Sequence, residues 1–200
     1  MTNIVYIKNY KAPPIDKKEI FRYAGVREAV PEISELLDSC LAEASDRLSY
    51  KVCYREFSIN HIESGVDLGF VTVGSKALSK NLSGCESVIL FAATVGIEID
   101  RFIARYASIS PTRSLLFQAI GVERIEALCD IFNKEITAKK ASVGFRTRPR
   151  FSPGYGDLSI DIQRDIFAVL DCQRKIGLAL NESLLMSPSK SVTALIGVGK

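Results

Sequence analysis

The segment from Arg146 to Tyr155 holds the residues of this chain that are best suited to binding a small molecule. Its three arginines occupy alternate positions, so an extended backbone would place their side chains on one side. Pro153 and Gly154 predict a tight turn in which Gly154 has a positive φ and backbone groups are left accessible. The planar guanidinium of Arg150 suits a carboxylate, and the ring of Tyr155 can stack on a flat heterocycle. Such a site fits an amino acid joined to a nucleoside; the alternative is a surface loop with solvated arginines.

Three stretches of the C-terminal half extend this pattern. They are the helical stretch ERIEALCD with Glu126, the run RFSPGY, and the block LNESLLMSPSKSVTALIG. In this order they resemble the activation domain of cobalamin-dependent methionine synthase, in which an Arg-x-x-Pro-Gly-Tyr segment binds S-adenosylmethionine. The resemblance is clear over residues 116–197, and before them only FAATVG is comparable.

The resemblance implies specific roles for five residues. Arg150 would take the methionine carboxylate of S-adenosylmethionine. Backbone groups of Ser152 and Gly154, together with Tyr155, would hold the adenosine. Glu126 matches an acidic residue on the helix near the ligand, where it could meet the amino group or the sulfonium charge.

The chain departs from the family pattern in two places. After the tyrosine the family usually has a proline and a segment containing cysteine and histidine, whereas this chain has GDLS at residues 156–159. The chain is also much shorter than the full domain. The family has an acidic ligand-binding residue near its N-terminus, and no motif in this chain marks the matching position. Asp16 is the residue we assign to it for testing.

By this resemblance the chain is a component of methionine synthase reactivation rather than a self-sufficient enzyme. It would bind S-adenosylmethionine and support reductive methylation of cob(II)alamin, acting in trans on a corrinoid-binding methionine synthase that lacks its own activation domain. Cobalamin would be carried only by that partner, and the electron would come from a flavodoxin-like donor. Two alternatives stay open. One is a corrinoid-protein docking module that keeps the fold without using S-adenosylmethionine, and the other is an independent methyltransferase with a small acceptor.

Composition excludes several other classes of function. A net charge of +3 and the absence of a long basic run argue against a nucleic-acid-binding surface. No stretch approaches eighteen apolar residues, and the N-terminus lacks the order of a signal peptide, so we expect a cytoplasmic protein without membrane contact. The five cysteines are scattered along the chain, and the sequence has only one histidine, so clustered metal ligands are missing. This pattern predicts reduced, buried thiols and no metal site.

Several further residues invite weaker interpretations. His61 in NHIESG lacks the aspartate of the corrinoid-binding Asp-x-His-x-x-Gly motif, so it is expected to be a loop or strand-end residue. Glu182 and Ser183 either face the ligand pocket or form a turn, and the turn is slightly favoured. Lys190 is expected to be solvated.

The elements that must position these residues can be predicted from capping and periodicity. We expect one α+β domain over residues 1–200 with a largely antiparallel twisted sheet and flanking helices, in which residues 1–110 match the family poorly and 111–200 carry the ligand-binding motifs. Gly121 lies in the apolar seam of the longest helix, which indicates close approach of another backbone or of a ligand. The predicted helices cover residues 16–23, 31–48, 75–82, 97–106, 111–140 and 162–173. The predicted strands cover residues 3–7, 52–59, 66–73, 87–94 (central in the sheet) and a half-buried 191–198.

Overall fold

The computed structural model describes residues 4–28 and 30–200, so Asn3, where the first predicted strand begins, lies outside it. The helices are α1 (Lys17–Tyr23), α2 (Pro31–Ala44), α3 (Lys76–Asn81), α4 (Glu98–Tyr106), α5 (Pro111–Ala141), α6 (Gln163–Leu170) and α7 (Cys172–Ile176), with a 3-10 turn at Ile160–Ile162. The strands are β1 (Tyr6–Tyr10), β2 (Tyr50–Ser58), β3 (Asn60–Ile62), β4 (Gly65–Asp67), β5 (Thr72–Val73), β6 (Cys85–Thr94), β7 (Arg146–Thr147), β8 (Ala179–Leu180), β9 (Met186–Ser187) and β10 (Ser191–Gly199).

Within the described residues, one antiparallel sheet of five strands forms the centre of the fold, in the order β1-β2-β6-β10-β7. The apolar strand β6 lies in the middle, as its continuous hydrophobic run predicted. Its Phe91 pairs with Tyr54 on one side and with Ala194 on the other. Strands β3, β4 and β5 form a smaller antiparallel sheet, and β8 pairs with β9. The α+β class with a largely antiparallel sheet is therefore confirmed.

Helices cover both faces of this sheet, and each face has its own apolar core. The first core joins α1, α2, α4 and α5 to side chains such as Phe91 and Ile196. The second joins α3, α6 and α7 to the opposite face, where Leu90 and Leu195 lie. Successive side chains of a strand point to opposite faces, so the central strands contribute to both cores.

The prediction of a half-buried terminal strand is therefore wrong. Apart from the half-buried Val192, the residues of β10 are buried, including the polar Ser191 and Thr193. Ser191 is satisfied because its hydroxyl donates to the backbone oxygen of Pro188 and lies 2.8 Å from the Thr94 hydroxyl. The alternation of polar and apolar residues indicated a solvated face, but the second layer of helices covers that face.

Other elements begin or end at residues that differ from the predicted ones. Helix α2 ends at Ala44 rather than at residue 48, and the Ser49 amide donates to the backbone oxygen of Val95 at 3.1 Å on the way into β2. The strand predicted over residues 66–73 is two short strands, β4 and β5, joined by a turn. The helix predicted over residues 162–173 is broken by Asp171, which has a left-handed φ of 50° and separates α6 from α7. Strand β1 runs from Tyr6 to Tyr10, later than the predicted residues 3–7.

Helix α5 crosses the first core over its whole length, as its opening Pro111 and apolar seam predicted. Gly121 in that seam is approached by side chains and not by the backbone or ligand that its position predicts. A Cβ atom there would lie 2.7 Å from both Ile99 Cγ2 and Lys190 Cγ, so a larger residue would push α4 or the start of β10 away.

The described part of the chain shows no helix long and apolar enough to cross a membrane. All five cysteines are buried and free of disulfides. Among the same residues, no group of three or more histidine, cysteine, aspartate or glutamate side chains is arranged to hold a metal ion.

Candidate functional site

A cleft of about 910 Å³ lies between the segment before α1 and the outer face of α5. This volume is within the range of pockets that hold small molecules and cofactors, roughly 300–1,000 Å³. Both Asp16 and Glu126 line it. One wall consists of residues 13–19 and Tyr23, and the other of Glu123, Glu126, Ala127, Asp130, Ile131 and Lys134.

A buried ion pair between two consecutive residues fixes the N-terminal wall to α5. Arg124 donates to both carboxylate oxygens of Glu123 at 2.5 Å, and also to the backbone oxygens of Pro13 at 2.6 Å and Pro14 at 2.7 Å. Glu123 Oε1 in turn accepts the backbone N–H of Asp16 at 3.1 Å. The side chains of Arg124 and Glu123 are only 3% and 5% exposed, so they support each other away from water.

Asp16 caps α1, at the first position of the helix predicted over residues 16–23. Its carboxylate accepts the backbone N–H groups of Lys18 at 3.0 Å and Glu19 at 3.2 Å, at the start of α1. These bonds satisfy two of the free N–H groups that every helix start presents. Asp16 thus faces the cleft with a carboxylate that is already engaged, which limits what it can offer to a ligand.

The second wall carries Glu126, which contacts Arg150, although Arg150 itself is not among the residues that line the cleft. Arg150, which follows β7, donates from Nη2 to Glu126 on α5, and Asp130 Oδ1 lies 3.8 Å from the same nitrogen. The other terminal nitrogen of Arg150, Nη1, is buried without a hydrogen-bond partner among the described residues. Glu126 and Asp130 are four residues apart on α5, so both face the cleft beside this cation.

Burial and neighbouring groups shift the pKa of Arg150 in opposite directions. Burial by itself lowers the pKa of the guanidinium, but the Cys129 thiol and the two carboxylates together raise it above its ordinary value. Burial also raises the pKa of Cys129 to about 12, although Arg150 opposes that shift. Arg150 is therefore a permanent cation at this position, while Cys129 is an inert thiol.

The three arginines of the segment do not share one face, because β7 ends at Thr147 and the backbone that follows is not a regular strand. Arg148 donates from Nη2 to the backbone oxygen of Ser83 at 2.7 Å, on the side of the second core, whereas Arg150 reaches α5. Arg146 belongs to β7 and is exposed. Only Arg150 therefore contacts the cleft lining.

The predicted turn after Arg150 is present. The backbone N–H of Tyr155 donates to the oxygen of Ser152 at 3.2 Å, and Gly154 between them has a φ of +81°. This is the geometry of a type II turn, which favours glycine at its third position. The expectation of unpaired backbone groups is wrong for two amides, since the Gly154 N–H donates to the Leu158 oxygen at 2.9 Å and the Tyr155 N–H closes the turn.

Tyr155 projects from this turn into solvent. Its residue surface is 71% exposed, and its ring meets the ring of Phe151 edge-on with centroids 5.4 Å apart. A face of the ring is thus free to stack on a planar group. Ser152, Gly154 and Tyr155 are not among the residues that line the cleft, although they follow directly after the Arg150 that supports it.

The GDLS sequence that replaces the family's pattern after the tyrosine has a structural role here. Asp157 accepts the Ser75 hydroxyl and the backbone N–H groups of Lys76 and Ala77, at the start of α3. These hydrogen bonds, led by that of Ser75, lower the pKa of the Asp157 carboxyl below its ordinary value. The turn is therefore anchored to α3 by Asp157.

The weaker candidates lie elsewhere. Glu182 and Ser183 are in the turn between β8 and β9, where the backbone oxygen of Glu182 accepts from Arg164 at 3.0 Å. Lys190 is half-buried against α5, where its ammonium donates to Gln118 at 2.6 Å and burial lowers its pKa. His61 is exposed on β3.

Sequence reasoning missed three residues that build the cleft, namely Glu123, Arg124 and Asp130. A signal was available in ERIEALCD, because its first two charges fall inside an otherwise apolar helical seam, where charged residues are rare unless they are paired. Asp130 follows Glu126 by four residues and could have been assigned to the same face.

Comparisons with known proteins support the fold. No model of a known protein family matches the chain, and no curated protein matches it at a significant level. Among solved structures, the chain is similar to a crystal structure described as the MetH reactivation domain bound to AdoHcy, with a TM-score of 0.70 and 15% sequence identity. The match covers 96% of this chain and 78% of that chain. The fold implied by the motif resemblance is therefore confirmed.

Proposed function

We propose that this chain binds S-adenosylmethionine and serves as a reactivation module for a cobalamin-dependent methionine synthase. The observation that carries the proposal is the contact between Glu126 and Arg150. These residues are 24 positions apart, yet the fold brings them together beside a cleft of ligand size. AdoHcy, bound by the protein of similar fold, is S-adenosylmethionine without its transferable methyl group.

The residues present suit such a ligand. Among the described residues, Arg150 Nη1 is buried without a hydrogen-bond partner, and a ligand carboxylate that reached it would satisfy that donor. Glu126 is 38% exposed on its side chain, so it can exchange its hold on Arg150 for the ammonium or sulfonium of the ligand. Tyr155 offers a free ring face for the adenine, and Ser152 and Gly154 form the turn that presents it.

In reactivation, the role of this chain is to orient the ligand rather than to supply acid–base chemistry. The sulfonium methyl group has to be held towards an acceptor that the partner carries, and a fixed carboxylate and adenine fix the direction of the S–CH₃ bond. Cobalamin, when bound to the partner, supplies the acceptor and the redox chemistry. We place the chain in trans to a corrinoid-binding methionine synthase that lacks its own activation domain, with a flavodoxin-like protein as electron donor.

Titration calorimetry with S-adenosylmethionine tests the ligand assignment. Arg150→Ala should weaken binding about tenfold or more, the scale of a hydrogen bond to a charged group. Arg174→Ala is a matched control, because the Arg174 side chain is 86% exposed and pairs only loosely with Asp171 at 3.6 Å. Absence of binding to the unmodified chain at millimolar ligand, or equal affinity in Arg150→Ala, would contradict the assignment.

A reconstitution assay tests the role. A corrinoid methionine synthase without an activation domain, its cobalamin oxidised, should regain activity when this chain, S-adenosylmethionine and a one-electron donor are supplied together. Leaving out any one of the three should abolish the recovery. Recovery without this chain would contradict the proposal.

A second candidate is a docking module that does not use S-adenosylmethionine. Two observations favour it, since Arg150 Nη2 is already held by Glu126 and the amides of Gly154 and Tyr155 are paired within the turn. A pull-down with a corrinoid-binding methionine synthase separates the candidates. Docking that is indifferent to S-adenosylmethionine, without rescue of oxidised cobalamin, would favour the docking module.

A further inference from the structure

We infer that Asp130 is a specificity-determining residue, which makes the site prefer the methyl donor S-adenosylmethionine over the demethylated product S-adenosylhomocysteine. This inference rests on the proposed function. It adds a residue that neither the motif nor the resemblance indicated, and it concerns discrimination between two ligands of the same cleft.

Arg150, Glu126 and Asp130 together carry a net negative charge. One guanidinium lies against two carboxylates, with Glu126 in direct contact and Asp130 Oδ1 3.8 Å from Nη2. The side chain of Asp130 is 62% exposed and that of Glu126 38%, so Asp130 presents the freer of the two charges to the cleft.

The methyl donor carries the complementary set of charges. It has one carboxylate, one ammonium and one sulfonium, so the ligand carboxylate can take Arg150 while the two cationic groups take the two carboxylates. When the methyl group leaves, the electrons of the broken S–C bond stay on sulfur, and the acceptor supplies the pair for the new bond. Sulfur thereby becomes a neutral thioether, and one carboxylate of the site loses its partner.

Glu126 and Asp130 share these tasks unequally. Glu126 contacts Arg150 directly and must move to admit the ligand carboxylate, whereas Asp130 keeps only a looser 3.8 Å pair with Arg150 and can turn to the ligand more easily. Other charges of the lining are engaged with the protein, because Asp16 caps α1, Glu123 pairs with Arg124, and Glu19 pairs with Arg22.

The lining has three exposed lysines, of which Lys17 pairs with Asp38 while the other two oppose this preference. Lys134 follows Asp130 by one turn of α5, and Lys18 lies on the opposite wall. Each of them disfavours a sulfonium nearby. Removing Lys134 should therefore act in the opposite direction from removing Asp130.

The experiment is calorimetry of both ligands on the full chain and its variants. Asp130→Asn should lower the affinity for S-adenosylmethionine about three- to fivefold, the scale of an exposed charge pair, and change that for S-adenosylhomocysteine less than twofold. Lys134→Gln should move the ratio of the two affinities towards S-adenosylmethionine. Asp46→Asn, which removes an exposed carboxylate between α2 and β2, should leave the ratio unchanged.

The outcomes separate this inference from the function on which it rests. If the unmodified chain binds neither ligand, the proposed function fails and the inference fails with it. If the chain binds both ligands and Asp130→Asn leaves their ratio as it was, only the inference is overturned. A ratio that shifts equally in Asp46→Asn overturns it as well, since the effect then comes from net charge rather than from the cleft.

Discussion

Tyr155 is the residue at which folding and binding can be separated most cleanly. Its residue surface is 71% exposed, and its ring meets the ring of Phe151 edge-on. Removing it costs the fold little buried surface, whereas a base stacked on an aromatic ring contributes about 1–3 kcal/mol. An exposed aromatic ring on the turn that follows Arg150 is therefore a candidate contact for the adenine of the proposed ligand.

We expect Tyr155→Ala to weaken binding of S-adenosylmethionine about tenfold, within the range for base stacking, while the melting temperature of the free chain stays nearly constant. Calorimetry and thermal unfolding of the same preparations measure the two effects. Tyr155→Phe serves as the control, because it keeps the ring and should retain most of the affinity. Equal affinity in the alanine variant would show that the ring does not contact the ligand.

Gly154 permits a direct test of the turn. Its φ of +81° lies in the left-handed region, and a Cβ atom there would approach Ile160 Cδ1 to 3.3 Å. Gly154→Ala should therefore destabilise the chain by about 1–2 kcal/mol and also weaken ligand binding. Gly144→Ala is matched in φ at +83° but has open space around it, so it should cost similar stability with unchanged affinity. Chemical denaturation and calorimetry together distinguish the two variants, and an equal loss of affinity in both would contradict a role for the turn.

At the scale of elements, the cleft depends on how the segment before α1 is attached to α5. The buried pair Glu123 and Arg124 bonds the oxygens of Pro13 and Pro14 and the amide of Asp16, so it holds the wall through backbone groups. Losing one member leaves the other as a buried charge, which costs about 3–5 kcal/mol.

Glu123→Gln should lower the free energy of unfolding by about 3 kcal/mol, because Arg124 stays buried and charged. Glu98→Gln is the surface control, since its pair with Arg101 is largely exposed on the arginine side and should contribute less than about 1 kcal/mol. Urea denaturation measures both. A small effect of Glu123→Gln would mean that water reaches Arg124 and that the wall is held less rigidly than the contacts indicate.

Asp157 links the turn at residues 152–155 to α3 in a pH-dependent way. Its hydrogen bonds to Ser75, Lys76 and Ala77 lower the pKa of the carboxyl in the folded state. The stability that it contributes is therefore complete above the unfolded-state pKa and is lost as the pH falls through the folded-state pKa.

Asp157→Asn should lower the melting temperature at neutral pH, and the difference from the unmodified chain should shrink as the pH falls below about 4, the ordinary carboxyl range. Thermal unfolding across this range measures the effect. Asp161→Asn is a suitable control in the same loop, because Asp161 does not cap α3. If the melting temperatures of Asp157→Asn and the unmodified chain differ by the same amount at every pH, Asp157 does not cap α3 as a carboxylate.

Local signals explain which elements could be predicted from the sequence. Asp16 and Ser75 cap their helices, Pro111 opens α5, and Gly154 has the φ that its turn requires, because each depends on neighbours within a few residues. The contact of Arg150 with Glu126 depends on the sheet order, which places the end of β7 beside α5. The burial of β10 likewise depends on a second layer of helices. The resemblance to a known family, rather than periodicity, brought Glu126 and Arg150 into one prediction.

At the scale of the whole molecule, one sheet separates two cores, and thiols lie in both. Cys40 and Cys129 belong to the core beside α5, while Cys53, Cys85 and Cys172 belong to the core beside α6 and α7. Burial raises the pKa of Cys129 to about 12, and a hydrogen bond with Cys53, together with burial, raises that of Cys172 strongly. The thiols should therefore react only after the structure opens.

This arrangement makes thiol labelling a measure of how the two layers cooperate. The central strands contribute side chains to both cores, so opening either layer should expose the other, and the five cysteines should be labelled at a common rate far below that of the denatured chain. Ligand at a hundred times its dissociation constant stabilises the folded state by about 2.7 kcal/mol, so it should slow all five rates about a hundredfold if opening is global and at equilibrium. Pulse labelling followed by peptide mass spectrometry resolves the individual rates. Protection confined to Cys40 and Cys129 would show instead that the layer holding the cleft opens by itself, and that the ligand stabilises α5 and its neighbours without the rest of the fold.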